Sequence, residues 1–258
     1  MDQWRRIDHG PGSGPFNMGV DEALLRSAEQ GRPSIRFYRW SGDWVSLGYS
    51  QECEPKFADA CARVGVDWVR RVTGGRALLH GHDLTYAVAA PRTALPGSVR
   101  DVAARIAMAL ERGLRDVGIS ARRTPADRPA PGAEVFDCFS QPGGNEIVLD
   151  GRKLVGSAQR RTREALLQHG SICLVPYSAE VRRATRLAEN SSISLQEWGS
   201  RVSDEDLREA LAAALGDSLG VELPRGELAP REAQEASERL QEPSPRSPGP
   251  SAGSQGGG

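Results

Sequence analysis

Over residues 67–117 the hydrophobic period changes from that of strands to that of a helix, which is the strongest constraint on how the chain folds. DWVRRVTGGRALLHGHDLTYAVAAP reads as three short strands, with Gly74-Gly75 between the first two and a tight link before the third. In SVRDVAARIAMALERGLRDVG, Val99, Val102, Ile106, Leu110, Leu114 and Val117 recur every 3.6 residues and predict one long amphipathic helix. Residues 1–224 therefore read as one mixed α/β domain.

The flanking segments agree. NMGVDEALLRSAEQG has helical spacing and ends at Gly31, a C-cap residue; SIRFYRW and DWVSLGY read as a hairpin-like strand pair around Ser41-Gly42; KFADACARVG is a short helix. Residues 122–134 are a Pro-rich loop. NEIVLDGRKLVGSAQ is a hairpin about Asp150-Gly151, a dipeptide suited to a type I′ turn, and HGSICLV is a strand. SDEDLREALAAALGDSLG is a helix with Ser203 as N-cap, followed by the short strand VELPRG. Residues 225–258 have almost nothing to bury and are expected to be disordered.

Composition narrows the partners. Net charge is −1 with dispersed basic residues, so neither a nucleic-acid footprint nor a polybasic membrane patch is present. MDQWRRIDHG carries charges where a signal peptide has its apolar core, and no apolar run reaches transmembrane length, so a cytoplasmic location is expected. Cys53, Cys61, Cys138 and Cys173 are too widely spaced for a zinc knuckle and should be free thiols. Lys and Arg total 33, yet only Lys56 and Lys153 are lysines. In so arginine-rich a chain, a lysine at 153 hints at a position that needs an amine able to lose its proton.

Three constellations bear on chemistry. Gly74-Gly75 reads either as a plain hairpin turn or as a loop whose N–H groups hold an anion or carbonyl, with Arg70, Arg71 and Arg76 nearby. His80, His82 and Asp83 form an H-x-H-D run with too few further ligands for a metal site, and none is expected. In FDCFSQPGGNEIVLDGRK, Cys138 lies in a loop ahead of Lys153. A thiol of pKa about 8.5 is mostly protonated at neutral pH, and a neighbouring ammonium lowers that value by about one to two units. Residue chemistry alone leaves two readings open: a Cys138–Lys153 dyad, or a tucked-in thiol beside a surface lysine. The hairpin puts Lys153 near its tip and Cys138 at its open end, so a dyad requires the loop to fold back.

WRRIDHGPGSGPFNMGVDEALL, RFYRWSGDWVSLGYSQ, RRVTGGRALLHGHDLTYAV, and GRKLVGSAQRR followed by LQHGSICL resemble, in order over residues 4–200, the signatures of the biotin/lipoate A/B protein ligase family. The resemblance implies an α+β catalytic domain with the mixed sheet and flanking helices of class II aminoacyl-tRNA and biotin synthetases, acting on lipoyl or octanoyl groups of carrier-domain lysines. Arg76 stands where lipoate-protein ligases carry a third glycine. Cys138 and Glu146 match the C-F-x-x-P loop and following glutamate of the LipM-type octanoyltransferases. The pattern departs at Gly144-Asn145, where an aromatic pair is usual, and at His82.

The resemblance thus implies octanoyl transfer from octanoyl-acyl carrier protein to the glycine-cleavage H protein or an E2 lipoyl domain, without ATP. Cys138 and Lys153 would be catalytic. Gly74, Gly75, Gly156, Ser157 and Ala158 would hold the acyl carbonyl, beside Arg71, Arg76 and His80. The alternatives are an ATP- and Mg-dependent lipoate or octanoate ligase, a lipoyl amidotransferase, and a non-catalytic carrier-binding subunit.

Overall fold

A computed structural model describes residues 3–126, 144–186 and 192–241, and in it every residue of the strand β6 (Asp83–Pro91) is buried. A strand buried at every position must be covered on both faces. Leu84, Tyr86, Val88 and Ala90 enter one core and Ala87 and Ala89 a second. By strand alternation Asp83 and Thr85 share the second face, so that face is apolar at one end and polar at the other.

β6 pairs antiparallel with β2 (Ser34–Trp40) and β10 (Ala165–Cys173). β1 (Arg5–Gly12) joins β2 and β11 (Arg225–Gly226) joins β1, both parallel. Beyond β10 come β9 (Arg152–Arg161), β8 (Ile147–Leu149) and β7 (Arg122–Arg123), giving the order β11-β1-β2-β6-β10-β9-β8-β7. The helices α3 (Val99–Asp116) and α6 (Asp204–Leu219) cover one face through Ile106, Leu110, Leu114, Leu211 and Leu215. Ser98 opens α3 in a capping box with Asp101, and Ser203 caps α6 as expected, accepting from Asp206 N at 3.0 Å. On the other face lies α1 (Gly14–Glu29), buried through Met18, Val20 and Leu24.

A second sheet faces the polar end of β6. Its central strand β3 (Trp44–Leu47) runs parallel to β4 (Asp67–Arg70) and antiparallel to β5 (Leu78–His80), and α2 (Pro55–Arg63) adds Phe57 and Cys61 to its core. The short helices α4 (Ala179–Ala184) and α5 (Leu195–Trp198) follow β10. The molecule is the expected α+β arrangement of a mixed sheet with flanking helices.

Several local expectations change. β2 and β3 do not form a hairpin; Ser41-Gly42 is a corner between two sheets. Gly74-Gly75 is not a hairpin turn either, because β3 lies between β4 and β5. Asp150-Gly151 does turn the β8–β9 hairpin, with φ of 48° and 75° as type I′ requires. The loop expected over 122–134 begins with β7. Residues 225–241, expected to be disordered, form β11 and the helix α7 (Pro230–Gln241), which packs along α1. Small residues and ion pairs make that contact, so no apolar stripe announces it.

Candidate active site

At the polar end of β6 the Asp83 carboxylate gathers three side chains. Its Oδ2 accepts from Thr85 Oγ1 at 2.8 Å, Ser171 Oγ at 2.7 Å and His80 Nδ1 at 2.9 Å, and its Oδ1 from Gly81 N at 3.0 Å. Because a carboxylate only accepts, His80 carries its proton on Nδ1 and turns Nε2 towards Ser46 Oγ at 2.8 Å. Trp40 stacks on the imidazole with ring centroids 4.0 Å apart and donates to Thr85 Oγ1 at 2.9 Å. Burial lowers the pKa of His80, which keeps the ring neutral. Burial alone would raise Asp83, but the His80 interaction and its hydrogen bonds hold it below the usual range.

A second chain of the same kind starts from α1. Asp21 Oδ2 meets His169 Nδ1 of β10 at 2.8 Å, and His169 Nε2 meets Thr73 Oγ1 at 2.6 Å. Asp21 also accepts from Tyr38 and Arg36, each at 2.8 Å. Arg71 joins the two chains. It donates to Ser46 Oγ at 3.1 Å, Thr73 Oγ1 at 3.2 Å, and the carbonyls of Ser46, Gly74 and Arg76 at 2.7, 2.8 and 2.7 Å. A guanidinium has five N–H groups, and these five bonds use all of them.

Between the two chains lies a pocket with about 350 Å³ of empty space, part of it open to solvent. Ser46, Arg71, His80 and Thr85 form one side, His169, Gly170 and the Gly156–Ala158 backbone the other, and Met18 and Leu78 add apolar surface. Gly170 is needed for closeness, since a Cβ there would stand 2.6 Å from Gly156 O. Of the residues expected in the site, Arg71, His80, Gly156, Ser157 and Ala158 line this one cavity. Gly74, Gly75 and Arg76 are not in its wall; they form the loop that Arg71 holds from inside.

Lys153 is 1% exposed and its Nζ donates to Glu146 Oε1 at 2.5 Å, so it is not a surface lysine. A bulge explains its direction. Ile147 pairs with Val155 but Val148 with Lys153, which leaves Leu154 extra, and both Leu154 and Val155 enter the core under α3. Lys153 therefore emerges on the opposite face, the side of Gly156 and the cavity, with Val148 and Glu146. Cys138 lies outside the described residues. Cys53, Cys61 and Cys173 form no disulfide, and burial pushes the Cys61 thiol up to about 12. Among the described residues no group of three metal-ligating side chains converges; His82 instead stacks on Tyr177, with centroids 4.5 Å apart.

Sequence reasoning missed Asp21, Ser46, Thr73, Thr85 and His169. Their signal was present as polar residues inside otherwise apolar elements: Asp83 and Thr85 in a fully buried strand, and Asp21 on the buried face of α1.

With this partly open pocket between a mixed sheet and a small second sheet, the chain has the fold of lipoate-protein ligase catalytic domains. Lipoate-protein ligase A bound with ATP superposes with a TM-score of 0.76 at 22% identity over 94% of this chain and 95% of that one. The putative lipoate protein ligase of T. acidophilum with bound lipoic acid gives 0.76 at 21% identity, over the same shares. Residues 13–215 match the lipoyl protein ligase A/B catalytic domain, and the chain belongs to that family. The octanoyltransferase LipM of Kyrpidia tusciae is 38% identical over 93% of this chain and 95% of its own length. That of Bacillus subtilis is 33% identical over 89% and 91%.

Proposed function

We propose that the protein transfers an octanoyl group from octanoyl-acyl carrier protein, through a thioester on Cys138, to a lysine of a lipoyl carrier, either the glycine-cleavage H protein or an E2 lipoyl domain. The observation that carries this reading is the near-full-length identity to octanoyltransferases. The cavity supports it: its polar side chains are already paired with protein groups, so it suits an apolar tail. At ~0.8 kcal/mol per buried methylene, an octanoyl tail contributes about 5 kcal/mol, enough to select a medium chain over acetyl.

In the first step the Cys138 thiolate attacks the donor thioester, a new S–C bond forms, the C–S bond to the carrier breaks, and the leaving carrier thiolate takes a proton from the Lys153 ammonium, which is left as the neutral amine. In the second, the neutral amine of the acceptor lysine attacks the octanoyl-enzyme, an amide forms and Cys138 is released as thiolate. Lys153 receives the proton that the amine loses. Backbone N–H groups of Gly156–Ala158 hold the carbonyl oxygen. In support, β8 ends opposite Val155, so the outer edge of β9 beyond it meets no strand among the described residues. Gly74, Gly75 and Arg76 act at the rim with Arg70, towards the acidic donor carrier. Thioester exchange is near thermoneutral, so neither ATP nor Mg is required. The reaction takes place in the cytoplasm, and no described helix is long and apolar enough to cross a membrane.

Intact mass after incubation with octanoyl-carrier and no ATP tests the reading. Wild type acquires an octanoyl adduct and Cys138→Ala does not. Absence of an adduct on wild type, with ATP and free lipoate modifying a lipoyl domain instead, establishes the ligase.

A further inference from the structure

Around Ser46, Thr73, His80 and His169 every side-chain N–H and imidazole nitrogen already has a partner, and the spare hydroxyl proton of the cavity wall lies apart from them, at the exposed Ser157 paired with Tyr86. Arg71 donates to Ser46 Oγ and Thr73 Oγ1, so each hydroxyl keeps its own proton for an imidazole Nε2. His80 and His169 in turn give their Nδ1 protons to Asp83 and Asp21. Tyr38 donates to Asp21, Trp40 to Thr85 and Thr85 to Asp83. The two hydroxyls therefore close the last acceptors of the wall: without Ser46 Oγ, His80 Nε2 is bare to the cavity, and without Thr73 Oγ1, His169 Nε2 is bare.

We propose that Ser46 and Thr73 are specificity-determining residues, which make the cavity accept an unsubstituted acyl tail and reject one that carries a hydroxyl. The inference rests on the cavity holding the acyl tail, as in the function proposed above, but not on the transfer chemistry. An acyl hydroxyl buried beside Ser46 and Thr73 loses its water and meets no bare imidazole nitrogen and no unpaired side-chain N–H, only hydroxyl oxygens already bonded, which corresponds to about tenfold to a hundredfold weaker binding. An imidazole Nε2 with no hydroxyl on it would accept that hydroxyl and restore much of the loss. Arg71 is then a positioning residue: it points both hydroxyl protons towards the imidazoles without touching the tail through a free N–H.

The test is calorimetric binding of octanamide and ω-hydroxyoctanamide, ligands that cannot be transferred, to wild type, Ser46→Ala, Thr73→Val and Ser46→Thr. Wild type and Ser46→Thr prefer octanamide by about tenfold to a hundredfold, and the preference narrows by about fivefold or more in Ser46→Ala and in Thr73→Val. Imidazole ¹⁵N shifts show an unprotonated, hydrogen-bonded Nε2 and a protonated Nδ1 on His80 and His169 in wild type, with the His80 signals changed in Ser46→Ala and those of His169 in Thr73→Val. The two variants sit in different chains, so one that folds suffices. Equal affinities in wild type, no octanamide binding, or a preference unchanged in a folded Ser46→Ala or Thr73→Val overturns the proposal. Failure of wild type to form the octanoyl-enzyme counts against the proposed reaction instead, and leaves the binding preference to be read independently.

Discussion

Lys153 is buried against Glu146, and the second transfer step asks more of it than charge. Arginine at this position keeps a cation beside Glu146 but cannot give up a proton. Lys153→Arg is expected to form the octanoyl-enzyme and to pass it on at least ~100-fold more slowly, so that the adduct accumulates by intact mass while acceptor acylation falls. Unchanged acceptor acylation in a folded Lys153→Arg excludes Lys153 as the base. His9 gives a pH prediction at the same scale. Burial, followed by repulsion from Arg36, lowers its pKa from 6.5 to about 4, and its Nδ1 accepts from Arg36 Nε at 3.0 Å. The unfolded chain takes up a proton below pH 6.5 that the native state refuses. The contribution of His9 is therefore full above pH 6.5 and is lost as pH falls towards 4. Urea midpoints measured across that window should fall more steeply for wild type than for His9→Gln; parallel curves would refute the assignment.

The elements that were legible in the sequence are those whose signals are local. Asp150-Gly151 encodes its own turn because both residues must adopt positive φ, and the 3.6-residue stripe from Val99 to Val117 encodes α3. Gly74-Gly75 misleads because the position of β3 between β4 and β5 is a long-range choice that neither glycine records. The bulge that turns Lys153 towards the cavity is equally silent, since Leu154 and Val155 look like an ordinary strand pair. At the candidate site, the motif residues Arg71, His80 and Gly156–Ala158 were found, while Asp21 and His169 were not, because they meet only after α1 and β10 pack together. The Gly-Gly loop has a structural partner that makes a further prediction. A Cβ on Gly48 would stand 2.0 Å from Gly75 O, and Tyr49 N donates to Thr73 O at 2.9 Å in the same contact. Gly48→Ala must push the loop away from Arg71. It is expected to cost about 1–3 kcal/mol by urea denaturation and to reduce octanoyl-enzyme formation. A variant with wild-type stability and yield shows that the loop has room to move.

At the scale of the whole molecule, α7 ties the end of the described chain to the helix that carries Asp21. Gly19 of α1 lets the helices approach so closely that a Cβ there would lie 2.8 Å from Arg239 Cβ and 3.1 Å from Ala236. Arg26 and Glu235 pair at 2.6 Å across the contact, and Arg5 of β1 pairs with the buried Glu232. Glu232 also accepts from Ala229 N at 2.7 Å, closing the first turn of α7. The outward face of α1 thus depends on α7, while its inward face places Met18 in the cavity wall and Asp21 on His169. Deleting residues 230–258 exposes the small-residue face and leaves Arg5 without Glu232, a loss of about 2–4 kcal/mol by denaturant unfolding. Because α1 is shared, the deletion should also loosen the Asp21–His169 bond, visible as altered imidazole ¹⁵N shifts of His169 with those of His80 unchanged. Gly19→Leu in the full chain should reproduce both effects by prising the helices apart. If the shortened chain unfolds at the wild-type midpoint with unaltered His169 signals, α7 is an appendage and α1 is held by the sheet alone.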